Sequence, residues 1–429
     1  MRRLLIFAVV LASFKMAAQT PLFEMAEPES AGFSLERLMR INEKMNQYIS
    51  ENRTGCIQTM IARNGKVIHF KNFGYSDIES DKELEMNAIF RIASLTKPVT
   101  AVALMILFEE GCFQLDDEVS KFIPEFNDLK VMIEENGERK LVDLKYPITI
   151  KHLLTHTSGF GYFFDVTGTC NSYWDCPSGL FPNNYLDTLY RQSGVLDKTA
   201  PKGNFIKKLT RLPLRFQPGE DLYYSIGLDV IGYLIEVISG MPLDEYMKKM
   251  IFSPLGMKDT DFYVPSDKLN RLTTLYWANP EGTLQAINRP DNSANSIRPT
   301  FFSGGGGLMS TMSDYLRFAQ MLLNKGELNG VRILSPQTVE FMTINHLKSD
   351  DLFLPGHGMG LGLVIVDDIT QINLPGNNGE YFAAGAANTF LWIDPEDKTI
   401  AMVWTQLAPY AGIPLAKDFK VLVNQALID

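Results

Sequence analysis

The sequence lacks the features that mark a membrane, nucleic-acid-binding or zinc protein. No apolar run reaches the ~20 residues that a membrane-spanning helix needs, so we expect no stable membrane insertion of the mature chain. Basic residues are in deficit, 40 Lys and Arg against 50 Asp and Glu, and the net charge of −10 argues against a nucleic-acid partner. Only four cysteines occur and none forms a CxxC pair, so zinc is not expected. What the 429 residues do contain is 45% hydrophobic side chains, enough for a large core.

Residues 1–18 have the pattern of a secretory signal peptide. Two arginines precede a short apolar run, and a pair of alanines follows it. We therefore predict that residues 1–18 are removed and that the protein is exported, to the periplasm or outside the cell. An uncleaved anchor is the alternative.

The four cysteines divide into two pairs by their surroundings. Cys170 and Cys176 flank a short polar stretch and could close a small loop, because an oxidising compartment permits disulfides. Cys56 and Cys112 stand among apolar residues, so we expect both to be buried thiols.

Periodicity places strands near both ends of the chain and helices between them. Asn64-Gly65 between two β-like runs predicts a hairpin. The apolar stretch from Leu95 to about Glu110 predicts a buried helix that ends at Gly111. The pattern indicates an α/β fold in residues 19–429, with a sheet from about 22–100 and 300–429. A mostly helical part, about 101–299, is expected between them, and 115–255 reads as helix and loop.

Ser94 and Lys97 form the strongest chemical signal in the sequence. They are three residues apart at the start of the predicted buried helix, and therefore on one face of it. A serine hydroxyl becomes nucleophilic when a neighbouring base takes its proton, and burial can leave a lysine neutral enough to do so. The alternative is a capping serine beside an exposed lysine, because Ser-x-x-Lys also occurs by chance.

Four ordered motifs resemble the serine β-lactamase and penicillin-binding-protein superfamily, particularly its class C-like and esterase branch. They are Ser94-x-x-Lys97, residues 152–159 (HLLTHTSG), residues 217–219 (QPG) followed by Tyr224-Ser225, and residues 305–311 (GGGLMST). The resemblance implies a β-lactamase-like fold, in which an antiparallel sheet flanked by helices meets a helical domain. The active site is then expected in the cleft between them, with no cofactor and no metal.

The resemblance also assigns a second catalytic residue. It makes Tyr224 the general base that acts with Lys97, and a lysine charge nearby would stabilise the phenolate. Tyr223 is the alternative tyrosine, but the spacing from Pro218-Gly219 selects Tyr224.

Two positions depart from the pattern of penicillin-recognising members. Their Lys-Thr-Gly-like triplet is replaced by residues 383–385 (AAG), so the cation that would hold a substrate carboxylate is missing. The backbone N–H of Ala386 could still complete an oxyanion hole with that of Ser94. Ile226 stands where lactam-processing members usually have asparagine. Both departures favour uncharged esters or small amides over β-lactams.

Three further features receive structural interpretations. His152 and His156 have an i, i+4 spacing but no HExxH pattern, so we expect no metal there. Residues 304–307 (GGGG) are read as a turn, because no Gly-Lys-Ser/Thr follows as in a phosphate-binding loop. The aromatic-rich stretch 160–190 is core filling or, as an alternative, an apolar rim that selects substrates.

The sequence therefore predicts an exported serine hydrolase that forms an acyl-enzyme at Ser94 on small ester or amide substrates. A β-lactamase or D,D-peptidase acting on peptidoglycan-like substrates would use the same three residues. A binding protein that kept the fold but lost turnover is the non-enzymatic alternative.

Overall fold

A computed structural model describes residues 25–162, 185–200, 203–279, 281–347, 354–408 and 413–429. The predicted signal peptide, Cys170, Cys176 and most of the aromatic-rich stretch lie outside the described residues. Nothing in the fold therefore tests those three predictions.

Helices occur from near the start of the described chain to its end. They are α1 Leu35–Ser50, α2 Thr96–Glu109, α3 Ile150–Leu154, α4 Tyr185–Ser193, α5 Asn204–Leu209, α6 Gly227–Ser239, α7 Leu243–Met247, α8 Ser253–Leu255, α9 Met312–Leu323, α10 Pro336–Met342 and α11 Leu415–Asn424. Helix α2 is buried along nearly its whole length and runs through the centre of the molecule. None of the helices in the described part of the chain is long and apolar enough to cross a bilayer.

The strands of the described segments form one large sheet and four small ones. They are β1 Cys56–Arg63, β2 Lys66–Asp77, β3 Lys82–Glu83, β4 Phe90–Arg91, β5 Lys130–Glu135, β6 Glu138–Asp143, β7 Leu275–Ala278, β8 Leu284–Asn288, β9 Met309–Ser310, β10 Glu327–Leu328, β11 Val331–Arg332, β12 His357–Met359, β13 Val364–Val366, β14 Tyr381–Gly385, β15 Thr389–Asp394, β16 Thr399–Trp404 and β17 Leu407–Ala408. The large sheet has the order β12-β13-β14-β15-β16-β1-β2-β3 and is antiparallel throughout. Strands from both ends of the chain meet where β1 pairs with β16.

The large sheet separates two hydrophobic cores, because successive side chains of a strand point to opposite faces. Met60 of β1 and Met402 of β16 face the first, which contains α2 and α9; we call it the α2 core. Ile57 and Val403 face the second, which contains α1 and α11; we call it the α11 core. A central sheet covered by helices on both faces is the mixed α/β architecture that the sequence predicts.

The predicted hairpin turn and the predicted end of the buried helix are both confirmed. Asn64 and Gly65 have φ of 52° and 77°, the left-handed conformation that a two-residue hairpin turn requires, and they join β1 to β2. Gly111 has φ of 74° just after α2 ends.

Two expectations need correction. The stretch 115–255, expected to be helix and loop, also contains the β5–β6 hairpin, whose outward-facing residues are mostly polar and give little strand periodicity. Cys112 is exposed, not a buried thiol, because it lies in the turn after α2; Cys56 on β1 is buried as expected.

Candidate active site

Ser94 lies in a tight 3₁₀ turn, residues Ala93–Leu95, that leads from β4 into α2. Ala93 has φ of +46°, a conformation that costs a non-glycine residue energy and persists only where surrounding structure enforces it. Two contacts from elsewhere in the chain enforce it here. The Tyr315 hydroxyl donates to the Leu95 carbonyl (2.6 Å), and the Leu308 N–H donates to Thr96 Oγ1 (3.1 Å). The turn thus presents Ser94 at the start of the buried helix.

Lys97 lies one helical turn from Ser94 and reaches back to it. Its Nζ is 3.1 Å from Ser94 Oγ and donates to the Gly305 carbonyl at 2.6 Å. The side chain is buried, and this burial lowers the pKa of Lys97 to about 7, with the Asp229 carboxylate opposing the shift. A lysine in this state can take a proton from the serine near neutral pH.

Tyr224 completes the group that the resemblance implied. Its hydroxyl is hydrogen-bonded to Ser94, and the Lys97 Nζ stands 4.6 Å from the centre of its ring. Burial raises the pKa of the Tyr224 hydroxyl, and Asp229 raises it further, while the Ser94 hydrogen bond opposes both. Burial therefore favours the neutral phenol at Tyr224, and the stabilisation of its phenolate by Lys97 stays a prediction.

Neighbouring side chains fix the Tyr224 ring from two other sides. The His156 ring lies 4.5 Å from it, centre to centre, and the Tyr162 ring meets it edge-on at 5.9 Å. His156 Nδ1 accepts the backbone N–H of Ser225 (3.0 Å), and burial keeps the pKa of the imidazole well below its usual value. His156 is thus a neutral packing residue. Adjacent Tyr223 points away and donates to Asp187 (2.9 Å).

Asp229 is a part of the site that the sequence reasoning missed. It lies on α6, fully buried, and its Oδ1 accepts from Ser303 Oγ (2.5 Å) and the Gly305 N–H (3.1 Å). Its Oδ2 is buried and has no hydrogen-bond partner among the described residues. Gly305 therefore bonds Asp229 through its N–H and Lys97 through its carbonyl.

Residues 304–307 form the turn that was expected, and Gly305 of this turn also contacts Lys97 and Asp229. A Cβ on Gly304 would lie 2.4 Å from the Leu228 carbonyl, and one on Gly305 would lie 2.3 Å from Asp229 Oδ2. Both positions exclude a side chain. Two features of the sequence could have indicated this contact. Asp229 is an acidic residue within the apolar helix α6, and its partner Gly305 belongs to a run of four glycines.

The remaining predicted positions lie as follows. Ala386 directly follows β14, which reaches the turn that holds Ser94: a Cβ on Gly385 would stand 2.3 Å from the Ile92 carbonyl. The oxyanion role of the Ala386 N–H stays a prediction. Ile226 is fully buried in the α2 core, and its hydrocarbon side chain cannot form a hydrogen bond. His152 Nδ1 accepts the Thr149 N–H as a helix cap.

Within the described ranges, no group of three or more His, Cys, Asp or Glu side chains is arranged so that it could hold a metal ion.

Comparison with known proteins identifies the class. The family model described as Beta-lactamase matches residues 41–423, so the chain belongs to the Beta-lactamase family. The predicted superfamily and fold are confirmed, and the protein is an enzyme of the serine hydrolase class.

Individual relatives are similar along most of their length. An uncharacterised protein of Mycobacterium tuberculosis (strain CDC 1551 / Oshkosh) is 33% identical over 83% of this chain and 87% of its own. The esterase EstB of Burkholderia gladioli is 26% identical over 82% of this chain and 87% of its own. The solved structure of simvastatin synthase (LovD) from Aspergillus terreus superposes with a TM-score of 0.75 at 22% identity, covering 91% of this chain and 98% of that one, which supports the fold.

Proposed function

We propose that the protein is an exported hydrolase of small esters or amides that forms an acyl-enzyme at Ser94. The observation that carries the proposal is the junction of three groups: Ser94 Oγ lies 3.1 Å from Lys97 Nζ and is hydrogen-bonded to the Tyr224 hydroxyl. A hydroxyl beside a base and a proton donor is the arrangement that nucleophilic catalysis needs.

In the first step, Ser94 Oγ attacks the substrate carbonyl and its proton passes to the neutral amine of Lys97. Because the pKa of Lys97 is lowered to about 7, the amine accepts this proton at neutral pH. Tyr224 then donates its hydroxyl proton to the leaving alcohol or amine, and Lys97 reprotonates Tyr224. The products are the Ser94 acyl ester and the released alcohol or amine.

In the second step, water attacks the acyl ester and gives its proton to the same lysine–tyrosine pair. The C–O bond to Ser94 breaks, the serine recovers its proton, and a carboxylic acid leaves. The backbone N–H groups of Ser94 and Ala386 are proposed to stabilise the oxyanion in both steps, a contribution of about 10²–10³ in rate for such a donor.

Esters are favoured for two reasons. The positions that bind the carboxylate and the acylamino group in lactam-processing members are occupied here by Ala383 and Ile226, and EstB is an esterase. The N-terminal pattern of residues 1–18 supports export.

The test uses p-nitrophenyl butyrate and three variants. Ser94→Ala is expected to abolish turnover, and Tyr224→Phe to lower kcat/KM by about 10²–10⁴-fold because the proton donor is lost. Tyr223→Phe is the matched control, since it removes the neighbouring hydroxyl that bonds Asp187, and it should stay close to wild type. Turnover that survives in Ser94→Ala, or no turnover by the wild type, rejects the acyl-enzyme mechanism; the latter favours the binding-protein alternative.

Intact-mass measurement after a short incubation with a slowly hydrolysed ester tests both the acylation of Ser94 and the removal of residues 1–18. One added acyl group, absent in Ser94→Ala, identifies the nucleophile, and the mass of the chain shows whether residues 1–18 are removed. Stable labelling by a fluorescent penicillin would favour the β-lactamase or D,D-peptidase alternative instead.

A further inference from the structure

Thr389 is a fully buried side chain beside the site, and the proposed mechanism does not use it. It begins β15, where it pairs with Gly385, the last residue of β14. Its hydroxyl donates to the Ile92 carbonyl at 3.0 Å. Ile92 stands two residues before Ser94. Gly385 stands directly before Ala386. Thr389 therefore joins the two segments that carry the proposed oxyanion donors, the N–H groups of Ser94 and Ala386.

Gln406, between β16 and β17, makes a second connection to the chain before Ser94. Its buried side-chain amide pairs with both backbone groups of Arg91 on β4, as a neighbouring strand would: Oε1 accepts the Arg91 N–H (3.1 Å), and Nε2 donates to the Arg91 carbonyl (3.0 Å). The Gln406 backbone is fixed in turn, because its carbonyl accepts the Tyr276 N–H (3.0 Å). Arg91 stands three residues before Ser94, so this contact restrains the chain that leads to the nucleophile.

The residue after Gln406 holds the loop that contains Ala386. The Leu407 N–H donates to the Ala387 carbonyl (3.2 Å), and the Leu407 carbonyl accepts from Asn388 Nδ2 (2.7 Å). The same short segment therefore fixes β4 through the Gln406 amide and the loop after β14 through its own backbone.

The two proposed donors are unused within the described parts of the chain. The N–H groups of Ser94 and Ala386 donate to no acceptor there. The next N–H after Ser94, that of Leu95, is by contrast bonded to the Ile92 carbonyl (3.1 Å). A donor stabilises an oxyanion where it lies about 2.7–3.1 Å from it, so the separation of the two N–H groups decides whether one oxygen can accept from both.

We propose that Thr389 and Gln406 are positioning residues, which hold the two proposed oxyanion donors at the separation that one oxygen requires. The inference rests on the proposed function and deepens it. Neither side chain needs to touch the substrate, because each acts through a backbone segment that it binds. Displacement of a catalytic group by about 1 Å can lower a rate by about 10²-fold, so the loss of either contact should weaken catalysis.

Three variants at these two positions measure the effect with p-nitrophenyl butyrate. Thr389→Val removes the hydroxyl and keeps the shape, so we expect kcat/KM to fall by about tenfold, a part of the roughly 10²–10³-fold that loss of a whole donor costs. Thr389→Ser keeps the hydroxyl and should recover most of this loss. Gln406→Leu removes both contacts to the Arg91 backbone, and its loss should be larger, about a hundredfold.

A boronic acid separates oxyanion stabilisation from ordinary binding. n-Butylboronic acid adds to Ser94: the Oγ–B bond forms, the serine proton passes to Lys97, and boron becomes a tetrahedral anion with an oxygen where the oxyanion forms. Its Ki should rise in each variant by the factor by which kcat/KM falls. The Ki of N,N-dimethylbutyramide, an unreactive neutral amide with the same acyl chain, should stay constant. A variant that merely loosened the fold would weaken the binding of both compounds.

Thr59→Val is the matched control. Thr59 is an equally buried threonine of the same sheet, and its hydroxyl is hydrogen-bonded to His69 Nε2 on β2 (2.8 Å), not to a segment with a proposed donor. This variant should lower the melting temperature about as much as Thr389→Val, because each loses one buried hydrogen bond. Its kcat/KM and its Ki for the boronic acid should stay at the wild-type values.

Wild-type kcat/KM in both Thr389→Val and Gln406→Leu, or equal changes in the two Ki values, overturn the positioning role. So does a loss of activity in Thr59→Val as large as that in Thr389→Val. Should Gln406→Leu fail to fold, the two Thr389 variants decide the question alone. Failure of the proposed function shows separately, as turnover that survives in Ser94→Ala or as a wild type that the boronic acid does not inhibit.

Discussion

Two buried lysines lie on opposite faces of the large sheet, and they differ in whether a carboxylate lies within ion-pair distance. Lys97 belongs to the α2 side, and its hydrogen bonds go to Ser94 Oγ and the Gly305 carbonyl, neither of which carries a charge. Lys420 of α11 lies on the other side, fully buried, and forms an ion pair with the equally buried Glu380. Its ammonium also stands 5.1 Å from the centre of the Trp392 ring.

The comparison shows that the partner, and not burial alone, decides what a buried lysine does. Lys97 has no carboxylate within ion-pair distance in the described chain, so desolvation lowers the pKa of its ammonium to about 7. Lys420 has a full counter-charge. Burial raises the pKa of its partner Glu380 to about 7, although the lysine opposes that shift. The first arrangement favours the neutral amine that the proposed mechanism uses as a base, and the second joins α11 to the start of β14.

The largest expected effect comes from replacing Lys97, the base of the proposed mechanism. Lys97→Met should lower kcat/KM for ester hydrolysis by about 10²–10⁴-fold, because Ser94 loses its proton acceptor. The same change should stabilise the fold at pH 6 by about 1–4 kcal/mol, because a buried charge is replaced by an apolar side chain. The pKa of Lys97 is lowered from 10.5 to about 7 on folding, so the cost of burying its charge is complete below pH 7 and disappears as pH rises through 10.5.

Urea unfolding at pH 6 and pH 9, alongside ester kinetics, checks both parts. The gain in the free energy of unfolding should be smaller at pH 9 than at pH 6. A destabilised Lys97→Met at both pH values would show that the lysine is a structural residue.

Lys420→Met should have the opposite effects, because it should lower the stability of the fold and leave kcat/KM unchanged. It leaves the Glu380 carboxylate buried without its counter-charge, a change that costs about 3–5 kcal/mol of folding free energy. The catalytic group is untouched, so kcat/KM of the folded fraction should stay near the wild-type value. The double variant Glu380→Gln with Lys420→Met removes both charges and should recover part of the loss. Equal destabilisation of the single and double variants would contradict the ion-pair explanation.

Much of the fold could be predicted because local signals determine it. The Asn64-Gly65 turn, the apolar α2 and the apolar runs of β15 and β16 depend on residues close together in sequence. The β5–β6 hairpin was missed because its strands face solvent, so that burial imposes no pattern on them.

The proximity of Ser94, Lys97 and Tyr224 was predictable for a different reason. Ser94 and Lys97 are one helical turn apart, and the resemblance to a known family supplied Tyr224. The supporting residues could not be found this way, because each contact joins distant parts of the chain: Gly305 is 208 positions from Lys97, and Ser303 is 74 positions from Asp229. The direction of the Tyr224 pKa shift also depends on burial, which no motif reveals.

The smallest effect concerns Asp229, the nearby carboxylate that is not in ion-pair contact with Lys97. Its charge raises the pKa of Lys97, so Asp229→Asn should lower that pKa further. Ester hydrolysis needs the neutral amine, and the acid limb of the kcat/KM profile should therefore move to lower pH, by about one unit. Ser303→Ala is the matched control, because it removes a hydrogen bond to the same carboxylate but keeps the charge, and its acid limb should move less. An acid limb that stays in place in a folded, active Asp229→Asn would mean that Asp229 only holds the Gly305 turn.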